Sequence, residues 1–362
     1  KAEMKLLVQS QTPLMHEARE MLRLWEAGDP ETMALWKQMN SWVYDGFNET
    51  YRRLGVDFNK VYYESETWKL GRQIVEKGLK DGVLYQKDDG SVWIDLSAEG
   101  LDQKVLLRSD GTTVYMTQDI GTAVLRHQEL NCSRYIYVVG NEQDYHFKAL
   151  AIILRKLGYE WASGIYHLSY GMVDLPEGKM KSREGTVVDA DDLMQEVVEE
   201  AARISMELGK TDEMSEPEKE QLYETLGMGA LKYYILKVDP RKRMVFNPQE
   251  SIDLRGNTGP FIQYAYARIC SLKRRAEGLI QASFDSKGLP DEPAHRNMIR
   301  ILSRYAEVIE LASEGLSPSV IANYAYDLAR EFNQFYQAYP VLKEADAQLA
   351  SLRLRIAIRT AD

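Results

Sequence analysis

Leu, Met and Trp recur at three- and four-residue spacing from Leu14 to Ala27 and again from Thr32 to Leu54, with Gly28-Asp29-Pro30 between the two runs. That spacing lays apolar side chains along one helical face and the Gly-Asp-Pro step breaks it, so two helices are predicted to open the chain. The period then changes. "GVLYQKDDGSVWIDL" alternates apolar and polar positions around Asp89-Gly90, as a hairpin does, and "KVLLRSDGTTVYM" repeats the pattern around Asp110-Gly111. Further on, the pattern predicts a helix from Asp119 to Leu130, a buried strand in "RYIYVVG", a helix from Asp144 to Leu157 and a strand from Ile165 to Val173. Strand and helix alternating at this spacing predict a parallel sheet with crossover helices. Ligands of such sheets sit at the carboxyl ends of the strands, here Gly140 to His146 and Gly171 to Arg183.

From Asp191 onward the apolar period is helical throughout. "DLMQEVVEEAARISMEL" follows an acidic first turn that suits a helix dipole, and a second helix from Glu218 to Val238 is stopped by Asp239-Pro240. Helices are then predicted at Pro260 to Glu277, Ala294 to Ser313, Pro318 to Ala338 and Ala345 to the end. The pattern contains no internal repeat or low-complexity tract. The change from mixed to all-helical places a domain boundary within Leu208 to Val238.

Composition changes this picture in one respect. The formal charge of -10 over 362 residues argues against a general nucleic-acid-coating protein, but it is unevenly distributed. Residues 1–227 hold 26 Lys and Arg against 40 Asp and Glu, whereas residues 228–362 hold 19 against 15, giving -14 and +4. An acidic domain joined to one that meets an anionic partner accounts for the asymmetry; two independently solvated surfaces do so equally. Cys132 and Cys270 are lone cysteines without a C-x-x-C pairing, which indicates neither a disulfide framework nor a zinc site and fits a reducing cytoplasm. No stretch approaches the apolar length of a membrane helix, and the first residues lack the apolar core of a signal peptide, so a soluble protein is expected.

Three stretches carry candidate chemistry. In "GMVDLPEGKMKSREGTVVDADDL", Lys179, Lys181 and Arg183 alternate on a Gly-flanked loop after a strand end, where cations can close over phosphate. A solvated surface loop is the commoner meaning of such a run. "VYMTQDIG" sets Tyr115 and Asp119 four apart, on one face if the chain is already helical there; a helix beginning near Gln118 makes Asp119 an ordinary cap instead. "VVGNEQDYHF" ends a buried strand with amide, carboxylate and imidazole groups in succession, which marks a site without identifying its chemistry.

Taken together with "GNTGPFIQYAYARI", these stretches occur in an order and at separations that resemble arginyl-tRNA synthetase, a class I aminoacyl-tRNA synthetase, over essentially the whole chain. The resemblance implies an α/β Rossmann-type parallel sheet, present as its second half with a helical and hairpin insertion, followed by an all-α anticodon-binding helical bundle. It implies an arginine-tRNA ligase: ATP-dependent activation of arginine to the adenylate, with magnesium accompanying ATP, then transfer to tRNA(Arg). Residues 179–183 match the family's KMSKS loop, with Ser182 where the pattern has its second lysine, so Lys179 is assisted by Lys181 or Arg183 in catalysis. By the same resemblance Asp119 takes the substrate guanidinium, with Tyr115 and Gln143 shaping the rest of the arginine site. His146, Gly171, Met172, Val173, Lys179 and Met180 meet ATP, and Arg268, Lys273, Arg274, Arg275 and Tyr336 face tRNA. The chemistry agrees at Asp119, because a carboxylate offers two oxygens to a planar fork of N–H donors. Aromatics such as Tyr264, Tyr266, Phe335, Tyr336 and Tyr339 are more often bundle core than base-stacking platforms. No protein-bound metal site is expected.

The family's HIGH signature, two histidines around a glycine, does not occur, since His16, His127, His146, His167 and His295 never pair in that way. The expectation is a fragment, inactive alone: a partial class I catalytic domain with insertion at residues 1–208, a connecting helical segment at 209–239 and an anticodon-binding domain at 240–362, cut short at its end. A non-catalytic tRNA-binding paralogue is the alternative. A monomer without membrane association is expected.

Overall fold

The computed structural model describes residues 12–174, 189–209, 211–276 and 292–362. They form two compact units, divided after Val61. In the first, α1 (Pro13–Ala27) ends at Gly28 and α2 (Pro30–Leu54) starts at the Asp29 cap, whose carboxylate accepts from the Thr32 amide at 2.9 Å. Trp25 and Trp36 meet edge to face at 5.5 Å across this helical pair.

The second unit begins with α3 (Glu64–Lys80), a helix that the apolar pattern did not predict. Three antiparallel strands follow: β1 (Tyr85–Gln86), β2 (Val92–Ile94) and β3 (Lys104–Leu107). The hairpin at Asp89-Gly90 forms as expected, closed by the Lys87 amide on the Ser91 carbonyl at 2.9 Å. The one expected at Asp110-Gly111 shrinks to a turn with a single bridge between Leu107 and Thr113, because the chain is already helical at Tyr115. That helix, α4 (Tyr115–Leu130), starts four residues before the expected Asp119, after Val114, whose side chain makes no cap.

Then come β4 (Tyr135–Gly140), α5 (Asp144–Lys156) and β5 (Ile165–Tyr170), with β4 and β5 parallel and in register from Tyr135 opposite Ile165 to Gly140 opposite Tyr170. α5 lies over the pair and presents Phe147, Leu150, Ile153 and Leu154 to a core shared with Ile120 and Val124 of α4 and with Leu106. Each fully enclosed aliphatic side chain contributes about 1.5–3 kcal/mol. The strand expected from Ile165 to Val173 is split: after Gly171 a short β6 (Val173–Asp174) pairs in parallel with β7 (Met244–Val245), far along the chain.

Between these last two strands run α6 (Ala190–Glu207) and α7 (Glu216–Leu236); α7 opens with a capping box of Ser215 and Glu218. After β7 and the single turn α8 (Pro248–Ser251), the remaining described elements are helical: α9 (Gly259–Arg275), α10 (Pro293–Ser303), α11 (Tyr305–Gly315), α12 (Pro318–Ala338) and α13 (Ala347–Ala361). The expected helix from Ala294 to Ser313 is therefore two, broken at Arg304, whose ψ of -3° leaves the helical track. Phe332, Phe335, Met298 and Leu354 centre a second core in this bundle. The α/β part followed by an all-helical bundle is the fold class expected from the sequence. Among the described residues no helix is long and apolar enough to cross a membrane.

Candidate functional site

β4 ends at Gly140, and a 3-10 turn, Asn141–Gln143, carries the chain into α5 with His146 in its first turn. α4 passes the same strand end and presents Asp119 one turn in. His146 Nε2 and Asp119 Oδ2 lie 2.6 Å apart, joining two helices whose residues are 27 positions apart in sequence. Because α4 begins at Tyr115, Asp119 stands on the helical face that begins with Tyr115 and caps nothing.

Two contacts place α4 so that its carboxylate faces α5. Gly71 of α3 and Gly121 of α4 allow the two backbones to touch, and the hydroxyls of Thr67 and Thr122 meet at 2.7 Å beside them. Thr117, buried, donates its hydroxyl to the Leu106 carbonyl and ties α4 to β3. On the other side, the imidazole of His167 on β5 bridges the Val139 carbonyl at 2.9 Å and Asp144 at 3.1 Å, which anchors the start of α5 to both parallel strands.

The electrostatics around Asp119 are mixed. Partial burial, and after it the negative charge of Asp119, push the carboxyl of Glu64, the first residue of α3, above its usual range. Burial likewise raises the phenol of Tyr137, with Arg126 opposing and Asp119 adding to the rise. Glu64 was not singled out from sequence; its only signal was the acidic opening of "ESETW", shared by many helix starts. Asp119 is about one-third exposed and His146 one-quarter, so the pair is reached by solvent. Among the described residues Asp119 Oδ1 makes no hydrogen bond, and a planar N–H donor can approach it.

The other expected site residues are placed as follows. Tyr115, 76% exposed, begins α4 one turn before Asp119, and Gln143, also exposed, ends the 3-10 turn after β4; neither makes a described hydrogen bond to Asp119. Gly171 donates its amide to the Pro240 carbonyl at 2.7 Å, and the Met172 carbonyl accepts from Met244 at 3.2 Å. Backbone groups alternate in direction along a strand, so the N–H and C=O of Val173 face away from β7. Arg243 grips Asp174 with two guanidinium nitrogens and ties β6 to the chain entering β7. Lys179, Met180, Lys181 and Arg183 lie outside the described residues. Among the described residues no three His, Cys, Asp or Glu side chains are grouped as metal ligands.

At the bundle, "GNTGP" is a junction. Asn257 accepts from the Tyr233 hydroxyl at 2.5 Å, its carbonyl accepts from Lys237 at 2.8 Å, and Thr258 caps α9. Gly259 lies against the Gly229 carbonyl, leaving no room for a side chain. Arg268 is held within the bundle: it donates to Asn333 at 2.5 Å and lies 4.7 and 5.1 Å from the rings of Tyr264 and Tyr336. Lys273, Arg274 and Arg275 are exposed in the last turn of α9. Tyr264 and Tyr266 are exposed as well, whereas Phe335 is core.

Residues 2–247 match the family described as tRNA synthetases class I (R), catalytic domain, and residues 262–362 match the DALR anticodon binding domain. The arginine-tRNA ligase of Parabacteroides distasonis is 55% identical over 98% of this chain and 60% of its own length. That of Phocaeicola vulgatus is 56% identical over 98% of this chain and 59% of its own. The chain thus spans less than two thirds of the relatives it matches. In fold it resembles the arginyl-tRNA synthetase of Thermus thermophilus, with a TM-score of 0.74 at 24% identity, covering 98% of this chain and 66% of that one.

Proposed function

Since the chain belongs to the class I tRNA synthetases of the arginyl type, we propose that it serves in arginine-tRNA ligation: formation of arginyl-adenylate from arginine and ATP, then transfer to tRNA(Arg). One observation carries the arginine assignment. Asp119 stands at the end of β4 with one oxygen held by His146 and the other open, a suitable acceptor for a guanidinium fork. Glu64 nearby deepens the negative potential that selects a cation. Tyr115 and Gln143 flank the substrate's aliphatic stem and amino-acid end.

In the first step the arginine carboxylate forms a bond to the α-phosphorus of ATP while the bond to the β-phosphate oxygen breaks and pyrophosphate leaves. Lys179, with Lys181 or Arg183, neutralises charge building on that leaving group. The main chain of Val173 and its neighbours receives the nucleotide, and magnesium arrives with the phosphates. In the second step a ribose hydroxyl of the tRNA terminus attacks the activated carbonyl and AMP leaves. The helical end, through Lys273, Arg274 and Arg275, meets tRNA phosphates. The protein acts as a monomer in the cytoplasm, with residues 1–208 as catalytic part, 209–239 as connection and 240–362 as tRNA-binding part.

The test is a chimera in which this chain replaces the matching part of the Parabacteroides distasonis ligase. ATP–pyrophosphate exchange that depends on arginine, and not on lysine or citrulline, is expected. Retained tRNA binding without exchange would instead support a non-catalytic tRNA-binding role.

A further inference from the structure

Of the groups at the strand ends, His146 is the one whose contacts differ from the role implied by its place in the motif. It sits where a nucleotide contact is expected, yet its Nε2 lies 2.6 Å from Asp119. We infer that His146 is a positioning residue of the guanidinium pocket: its Nε2–H donates to Asp119 Oδ2 and sets the plane of that carboxylate for a substrate fork. The inference rests on the arginine reading above.

Three features support it. A carboxylate has about four lone-pair sites, so one N–H on Oδ2 leaves the rest, including all of Oδ1, for a ligand. The imidazole is itself held: α5 is anchored at Asp144 to His167, and the His146 ring rests against Phe147 at 5.6 Å. Without this donor, Asp119 would face Glu64 with no opposing hydrogen bond, and like charge would turn the two carboxylates apart. A rotatable Asp side chain then loses orientation for a two-point contact, which is where guanidinium recognition has its specificity.

The experiment uses the chain within the chimera with the Parabacteroides distasonis ligase, titrated with L-arginine, citrulline and a non-hydrolysable ATP analogue by calorimetry and by NMR of ¹⁵N-histidine. Arginine is expected to shift the His146 ring signals. His146→Ala should weaken arginine about tenfold or more and narrow its margin over citrulline, with binding of the ATP analogue unchanged. His146→Gln, which keeps an N–H donor at similar reach, should restore most of the loss. Asp119→Asn combined with His146→Ala should cost no more than Asp119→Asn alone, as expected of a residue that acts through another. That comparison holds even if His146→Ala lowers the melting temperature. Weakened nucleotide binding with normal arginine binding would overturn the inference and leave the arginine reading standing. A chain that binds arginine no better than citrulline would overturn both.

Discussion

Gly71 of α3 and Gly121 of α4 stand backbone to backbone: a Cβ on Gly71 would lie 1.9 Å from the Thr117 carbonyl oxygen, and one on Gly121 would lie 2.3 Å from that of Thr67. In an unpacked helix, Gly→Ala stabilises by about 0.5–1 kcal/mol. Here the sign reverses. Gly71→Ala and Gly121→Ala are each expected to destabilise by about 1–3 kcal/mol or more, because the obstacle is backbone that cannot turn aside. Since Asp119 lies half a turn from Gly121, both should weaken arginine binding as well. Urea midpoints at or above that of the parent chain would contradict the crossing.

Tyr233 and Asn257 bind the end of α7 to the start of the segment that leads into α9. Burial raises the Tyr233 phenol far above its usual range, so it stays a neutral donor at every physiological pH. Tyr233→Phe leaves the Asn257 oxygen without this donor and should cost about 1–3 kcal/mol in a denaturation experiment. An unchanged unfolding curve would show that the motif is held by Gly259 and Thr258 alone.

In the bundle, His295 and Arg353 are both buried, and burial first, then the Arg353 charge, lower the imidazole below its ordinary value of 6.5. The folded state therefore binds fewer protons than the unfolded state, and stability rises with pH across this interval. The contribution is complete above about pH 6.5 and is lost as pH falls from there through the lower folded value. Thermal melts at pH 5.0–7.5 should show that loss, and His295→Gln should flatten it. A slope unaffected by the substitution would assign it to other groups.

Arg268 and Arg274, six positions apart on α9, should behave differently. Arg268→Ala removes the Asn333 bond and the contacts to Tyr264 and Tyr336, and should lower stability by about 1–2 kcal/mol. Replacing exposed Arg274 and Arg275 with Ala should leave stability within about 0.5 kcal/mol and reduce both tRNA affinity and its dependence on salt. Measured over a salt series, an unchanged slope would return Arg274 and Arg275 to a solvated surface.

The long amphipathic helices were legible because their periodicity is a local consequence of burying one face. α3 was not: Gly71 and Gly78 interrupt its apolar pattern, and Gly71 is explained by Gly121, fifty positions away, which no local window contains. The spacing of Tyr115 and Asp119 was visible, but not the start of their helix, since Val114 carries no capping side chain. Likewise the motif holding His146 could be seen as polar groups at a strand end, whereas its pairing with Asp119 depends on how α4 and α5 approach that end. The split between β6 and the preceding strand has a similar origin, because β7 comes from beyond α7.

The most direct measurement replaces Asp119 with Asn in the chimera with the Parabacteroides distasonis ligase and follows steady-state exchange at varied arginine. Asn keeps the side-chain shape but exchanges one acceptor oxygen for a donor and removes the charge. The loss of a charge-assisted pair, about 1.5–3 kcal/mol, with an N–H then opposing the guanidinium, predicts a fall in kcat/KM for arginine of about a hundredfold or more, with ATP parameters and the melting temperature little changed. Normal arginine kinetics in the folded variant would contradict the assignment of Asp119 to the guanidinium and, with it, the arginine reading of this site.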